Sequence, residues 1–246
     1  MAIELPVNKI EPAFQDPKNL ILYGQPKVGK TTILSHLPNC LILDFEDGSD
    51  YVSALKLKVK TLADLQEICK AIKEAGNPYT FIGIDTVTSL EDFAKPLALK
   101  LFKMSPQGSK SDIEDVLKAP MGAGYGFLRE AMEKIITMVQ SVCKHVILVG
   151  HVKDTVVGVD GEDGTVKDLD LVGKTKRILS AKSDAIGFVY RDEKSNLCIN
   201  FGSNGEIMCG ARPEHLANKK IVVSEIKEDG TFISHWDKIY PSLNKK

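Results

Sequence analysis

Gly24-Gln25-Pro26-Lys27-Val28-Gly29-Lys30-Thr31 sets two glycines five positions apart, followed at once by a lysine and a hydroxyl residue. Glycines at both ends of so short a stretch let the backbone turn tightly and aim successive N–H groups at one centre. A helix starting there adds its partial positive charge, which suits an anion. Lys30 then reaches the β- and γ-phosphates of a nucleotide, and the Thr31 hydroxyl reaches Mg²⁺. The spacing is that of a phosphate-binding loop. Its expected nucleotide ligands are Gly24, Gln25, Pro26, Lys27, Val28, Gly29, Lys30, Thr31 and Thr32. The bland alternative is a glycine-rich turn without a ligand. All four fixed positions are filled and both flanks are right, which speaks against it.

Other residues with chemistry stand at the ends of apolar runs. Cys40–Glu46 reads as a strand that turns acidic at Asp44 and Glu46, two apart and so expected on one face. In a parallel α/β sheet, ligands sit beyond the carboxyl ends of the strands, where a carboxylate can activate a water. Phe81–Thr86 is a second such strand, and its Asp85 has the position of a Mg²⁺-holding aspartate. Val146–His151 is a third, expected to end at His151, where a polar side chain can sense the γ-phosphate. A strand-end histidine facing water is the competing reading. The candidate catalytic residues are Lys30, Glu46 and His151, and the candidate metal ligands are Thr31 and Asp85.

These strands need helices between them. The run Leu20–Tyr23 feeds the loop, and Thr31–Leu37 follows it as a helix ended by Pro38-Asn39. Leu62–Lys73 has helical spacing with Thr61 as its N-cap. Thr86, Thr88 and Ser89 offer caps for a helix over Leu90–Leu101, which contains Pro96. Residues 103–124, rich in Pro, Gly and Ser, read as a mobile loop. Tyr125–Val142 is a strongly periodic helix. Residues 152–173 read as a β-hairpin or a disordered loop. Six acids there (Asp154, Asp160, Glu162, Asp163, Asp168, Asp170) outweigh Lys153 and Lys167, a balance that repels phosphate. Lys174, Lys176, Arg177 and Lys182 follow as the most basic stretch, either a solvated helix face, a nucleic-acid contact or a source of cations for a neighbour's nucleotide. Ser183–Arg191 and Leu197–Phe201 read as a strand pair. Further strands are expected near Ile207–Cys209, Ile221–Val223 and Thr231–Ile233, with a helical turn at Pro213–Leu216 and a frayed tail at Asn244–Lys246.

The 246 residues, 43% hydrophobic and 26% charged, describe an ordinary globular chain. A net charge of −1 argues for no global affinity for nucleic acid. No run of about 18 apolar residues suggests a membrane span, and Met1–Pro6 lacks the pattern of a signal peptide. Cys40, Cys69, Cys143, Cys198 and Cys209 are scattered without a C-x-x-C pair, as for reduced thiols in the cytoplasm.

Taken in order, these elements resemble the RecA-like ATPase core over about residues 18–203. The resemblance lies in the phosphate loop, in CLILDFEDGSD (Cys40–Asp50), in FIGIDTVTSL (Phe81–Leu90), in APMGAGYGFLREAMEKII (Ala119–Ile136) and in Val146–His151. It implies a RecA-like P-loop NTPase: an α/β fold of three layers around a mostly parallel sheet, with a C-terminal β extension over 204–246 in a single domain spanning 1–246. By that match Glu46 is the water-activating base. His151 stands where the γ-phosphate sensor is usually Gln. Residues 119–136 and 152–173 fall at the two DNA loops. Short chains of this kind are similar to recombination or single-strand-annealing ATPases of bacteriophages. The implied cofactors are ATP and Mg²⁺. The implied partners are single-stranded DNA, further copies of the chain in a filament or ring, and a single-strand DNA-binding protein, in the cytoplasm (the host's if the chain is phage-encoded). The second loop is acidic and no large accessory domain is present, so DNA binding is implied less directly than ATP binding. Candidate cations acting on a neighbouring subunit are Lys174, Lys176, Arg177 and Arg212.

Two rival readings use the same loop. A small-molecule or nucleotide kinase needs an Arg-rich lid, and residues 103–124 hold no arginine. A nucleotide-switched assembly module hydrolyses little ATP. Stimulation by single-stranded DNA separates the first reading from both.

Overall fold

The computed structural model describes residues 5, 7–9, 11–12, 15–159, 162–227, 229 and 231–244, with the backbone alone at 157–159 and 162–164. Its core is a sheet whose central strands are parallel. They are β1 (Asn19–Gly24), β2 (Cys40–Asp44), β3 (Leu55–Lys58), β4 (Phe81–Asp85), β5 (His145–Val159) and β7 (Ala185–Arg191), hydrogen-bonded in the order β7-β1-β5-β4-β2-β3. β8 (Leu197–Asn200), β10 (Lys220–Ile226) and β11 (Phe232–Ser234) continue the sheet antiparallel beyond β7. β6 (Glu162–Leu169) pairs with the far half of β5, and β9 (Gly210–Ala211) with β7. The fold is therefore α/β with a mostly parallel sheet and a C-terminal β extension.

Strand residues are buried on both faces, which explains their unbroken apolar runs. Ile21, Tyr23, Leu41, Leu43, Ile82, Ile84, Val146 and Leu148 face one layer of helices. These are α2 (Leu62–Glu74), α3 (Val87–Met104), α4 (Ala123–Gln140) and α5 (Thr175–Lys182). Leu20, Leu22, Ile42, Phe81, Ile147 and Val149 face the other layer. It consists of α1 (Lys30–Ser35) and the C-terminal residues Leu216, Trp236, Ile239 and Tyr240. Trp236 is 2% exposed, and its indole N–H donates to the Ile33 carbonyl of α1 at 2.8 Å. Phe232 of β11 stacks on His36, with ring centroids 3.8 Å apart. The β extension thus backs the short helix that follows the phosphate loop.

Helix starts follow the expected chemistry. Thr61 caps α2 in a full capping box: Asp64 N–H donates to Thr61 Oγ1 at 3.1 Å, and Thr61 N–H to Asp64 Oδ2 at 2.8 Å. Thr86 caps α3 by accepting from Ser89 N–H at 3.2 Å, and Pro96 lies inside that helix.

Three sequence expectations need correction, and one strand goes unread. Within residues 103–124, expected as a mobile loop, the part from Val116 to Gly124 is anchored, while much of the rest is exposed. Val116 and Ala119 are buried, and a Cβ on Gly124 would lie 1.7 Å from the Val116 carbonyl oxygen. Their contacts lack period, so no amphipathic signal announces them. His151 does not end its strand. β5 runs through it to Val159 and pairs antiparallel with β6 from Val152↔Leu169 to Val159↔Glu162, as a β-hairpin would. Asp44 and Glu46 do not share a face, because β2 stops at Asp44. β3, half-exposed and reading LKLK, carries little apolar signal and escapes sequence reading. Asp160, Lys245 and Lys246 fall outside the described residues. Among the described residues no helix is long and apolar enough to cross a membrane.

Candidate functional site

The phosphate loop leaves β1 at Gly24, where the neighbouring strand β7 presses close. A Cβ there would sit 2.4 Å from the Val189 carbonyl oxygen, so only glycine fits. At the far end Gly29, with φ 115°, forms the N-cap of α1 in a left-handed conformation that side chains resist. Lys30 is 7% exposed and folds back on the loop, donating from Nζ to the carbonyls of Gly24 at 3.0 Å and Gln25 at 2.8 Å. Burial pulls its ammonium pKa down, and the charges of Asp85 and Glu46 work against that pull. An ammonium held only by two loop carbonyls can exchange them for phosphate oxygens.

β4 lies two strands from β1, across β5, and ends at Asp85 beside the loop. Thr31 Oγ1 donates to Asp85 Oδ2 at 2.6 Å. Burial raises the Asp85 carboxyl pKa, the Thr31 bond opposes this, and the nearby charges of Glu46 and Asp44 raise it further. The folded-state pKa therefore lies above the unfolded one, and the ionised group costs stability at every pH above it. That cost shrinks as pH falls through the folded value and is gone below the unfolded one. Without metal or nucleotide, Asp85→Asn should raise the thermal midpoint at neutral pH, with the gap closing on acidification. Calorimetry on both proteins across pH checks this; equal midpoints at neutral pH would refute it.

Past the end of β2 the two acids take different tasks. Asp44 is 3% exposed and binds its own turn, accepting from Glu46 N–H at 2.9 Å, Ser49 N–H at 3.0 Å and Ser49 Oγ at 2.5 Å. Burial alone would raise its pKa, but these bonds outweigh burial and hold it below the usual carboxylate range. It is a structural cap. Glu46 points elsewhere. Its Oε1 accepts from Thr86 Oγ1 at 2.5 Å and Ser89 Oγ at 2.7 Å, and lies 3.1 Å from His151 Nε2. Burial pushes the Glu46 pKa up, and these three partners more than offset it, so the group sits below its ordinary value. It is held as an ionised carboxylate, with 31% of its side chain open to solvent.

His151 sits mid-strand, its N–H bonded to Thr88 Oγ1 at 3.2 Å and its carbonyl accepting from Asp170 N–H at 2.9 Å. A neutral ring donating from Nε2 to Glu46 leaves Nδ1 as an acceptor. Nδ1 is buried without a partner among the described residues.

The structure thus joins Lys30, Thr31 and Asp85 at one point, and Glu46 and His151 at another beside it, with the Asp85–Thr86 step linking the two. Thr86 and Ser89, legible in the sequence only as helix caps, also hold Glu46. Arg191 carried no signal beyond ending an apolar strand. The structure places it against the loop, with Nη2 3.1 Å from where a Cβ on Gly29 would stand. Among the proposed trans cations, Lys176 pairs with Asp168, and Arg212 pairs with Asp184 at 3.5 Å. Lys174 and Arg177 are exposed.

These residues fit ATP with Mg²⁺. Among the described residues no cluster of three or more His, Cys, Asp or Glu could hold a metal. Mg²⁺ commonly takes only one or two protein ligands alongside substrate phosphates, and Thr31 and Asp85 are placed so that they could hold it in that way. Asp85, made basic by its burial and its acidic neighbours, suits a cation close by.

No curated protein matches the chain. Among solved structures it is similar to a KaiC-like protein from the hyperthermophilic archaeon Pyrococcus horikoshii OT3. The two are 13% identical, with a TM-score of 0.45, over 94% of this chain and 100% of that one. A family profile described as an AAA domain matches residues 16–220, a span that takes in the phosphate loop, Glu46, Asp85, His151 and Arg191. The chain belongs to this AAA domain family.

Proposed function

We propose that the chain is a Mg²⁺-dependent ATPase of the RecA-like kind that acts in DNA recombination, repair or replication, on single-stranded DNA. The observation that carries the hydrolytic part is the arrangement of Glu46. A carboxylate held by Thr86, Ser89 and His151 stands beside a buried Thr31–Asp85 pair and a phosphate loop with a buried lysine. The loop amides and Lys30 hold the β- and γ-phosphates, and Thr31 and Asp85 hold Mg²⁺. The ion, when bound, neutralises charge on the phosphates during transfer. Glu46 orients the attacking water and takes its proton. His151 supplies Nε2–H to whichever oxygen stands before it, Glu46 in the resting chain or the γ-phosphate once nucleotide is bound. Little covalent chemistry is asked of the protein; positioning and charge neutralisation do most of it.

The DNA part rests on the resemblance of the ordered elements, and assembly into a filament or ring rests on the same ground. Lys174, the N-cap of α5, and Arg177 within that helix are exposed and can reach a neighbour. The test is phosphate release with ATP and Mg²⁺, with and without a single-stranded oligonucleotide. Stimulation by the oligonucleotide, with binding that weakens as salt rises, supports the reading. Basal turnover without stimulation or oligonucleotide binding at low salt removes DNA from it.

One observation favours a second reading, an ATP-switched assembly module with little hydrolysis. The Glu46 oxygen facing His151 is already taken by three donors, so a base acting through that oxygen is latched until one of them is displaced. Assembly that depends on ATP, without measurable phosphate release, marks that case.

A further inference from the structure

β7 lies parallel to β1 with Gly24 opposite Val189, so Arg191 emerges just beyond the level at which the phosphate loop leaves β1. A firm turn to β8 fixes it there. Asp192 accepts from Lys194 N–H at 2.9 Å, Asn196 N–H at 2.8 Å and Asn196 Nδ2 at 3.0 Å, and Asp192 N–H donates to the Asn196 carbonyl at 3.1 Å. Arg191 Nη1 donates to the Ser195 carbonyl at 2.7 Å. The other amino group, Nη2, is turned to Gly29, 3.1 Å from where a Cβ on that glycine would stand, with the Leu197 methyls 3.7 Å from the same point.

The charge is not spent within the chain. Among the described residues no carboxylate lies within ion-pair distance of Arg191. One of its five N–H donors has a carbonyl, and the residue is exposed. A guanidinium turned to the last glycine of a phosphate loop, anchored by one amino group and open at the other, is placed to receive a ligand.

We propose that Arg191 is a nucleotide-binding residue acting within its own chain, closing the Gly29 side of the phosphate loop. The inference rests on the ATP reading above and adds a residue that no motif contains. A guanidinium meets a bound nucleotide in two ways, by hydrogen bonds to phosphate oxygens or by stacking its plane on the base. Both are contacts with one ligand, and the experiment separates them.

Fluorescent ATP and GTP, labelled on the ribose, are titrated in Mg²⁺ buffer into the full chain and into Arg191→Ala, Arg191→Lys and Lys30→Ala. Arg191→Ala should bind about 10- to 100-fold more weakly, the loss that goes with one hydrogen bond to a charged group. Because Arg191 is exposed, its thermal midpoint should match the unchanged protein. Equal losses for both nucleotides, partly restored by Arg191→Lys, support the inference through a phosphate contact. Losses that differ between ATP and GTP and are not restored by lysine support it through the base. Wild-type affinity in Arg191→Ala for both nucleotides overturns the inference while leaving the ATP reading in place. Absence of binding by the unaltered chain overturns the ATP reading itself.

Discussion

Glu46→Gln should bind ATP as tightly as the unaltered chain and hydrolyse it about 100- to 10,000-fold more slowly, the usual contribution of a positioned general base. Glutamine keeps the shape of the side chain, and its carbonyl oxygen still accepts from Thr86 and Ser89, so the turn after β2 should not move. What disappears is the ability to take a proton from water. Equilibrium binding of a labelled nucleotide, together with single-turnover phosphate release, separates the two effects. Unchanged turnover would remove Glu46 from the chemistry. Asp44 makes a useful contrast. It is two positions earlier in the chain and more buried, but its oxygens are bound to its own turn. Replacing it should show first as lost stability.

The second large effect lies away from the nucleotide. Trp236→Ala should cost about 3–5 kcal/mol, the range for removing a large buried aromatic side chain. For a domain whose whole stability is about 5–15 kcal/mol, that is a major fraction. The indole fills the space between the sheet and α1, near Ile33, Leu34 and Tyr240. Trp236→Phe keeps most of the bulk and loses the bond to the Ile33 carbonyl, so it should cost about 1 kcal/mol beyond the packing change. Denaturant midpoints measure both. Saturating nucleotide should recover part of the loss if α1 is ordered by what binds at Lys30 and Thr31. A Trp236→Ala protein as stable as the unaltered chain would show that the C-terminal segment does not support the phosphate loop.

The loop was readable because everything it needs is local: two glycines, a lysine, a threonine, a strand before and a helix after. Asp85 was readable for the same reason once the loop was in hand, since a buried strand ending in Asp is a short-range pattern. Glu46 is legible in the sequence, but its setting is not. Strand period places residues two apart on one face, and the strand ends before the period can apply. The partners of Glu46 come from the start of α3 and the middle of β5, dozens of residues away, and nothing near Glu46 in the chain points to them. Arg191 is the extreme case. Its place beside Gly29 depends on β7 being the parallel neighbour of β1, a pairing across more than 150 residues. The sequence admits the hairpin of β5 and β6, but a histidine inside a strand looks like one at its end when polar residues follow. The packed stretch around Val116 shows the opposite failure. Pro, Gly and Ser suggested mobility, but glycine at position 124 serves close backbone approach.

Trp236 is the only tryptophan in the chain, and it is hydrogen-bonded to the helix that begins at Lys30. The intrinsic fluorescence excited at the red edge therefore comes from one indole, in a dry setting, one bond from the nucleotide site's own scaffold. Movement of that helix when a ligand settles on the loop will register as a change in the colour or brightness of this emission. The protein carries its own optical gauge of the phosphate loop, with no label attached.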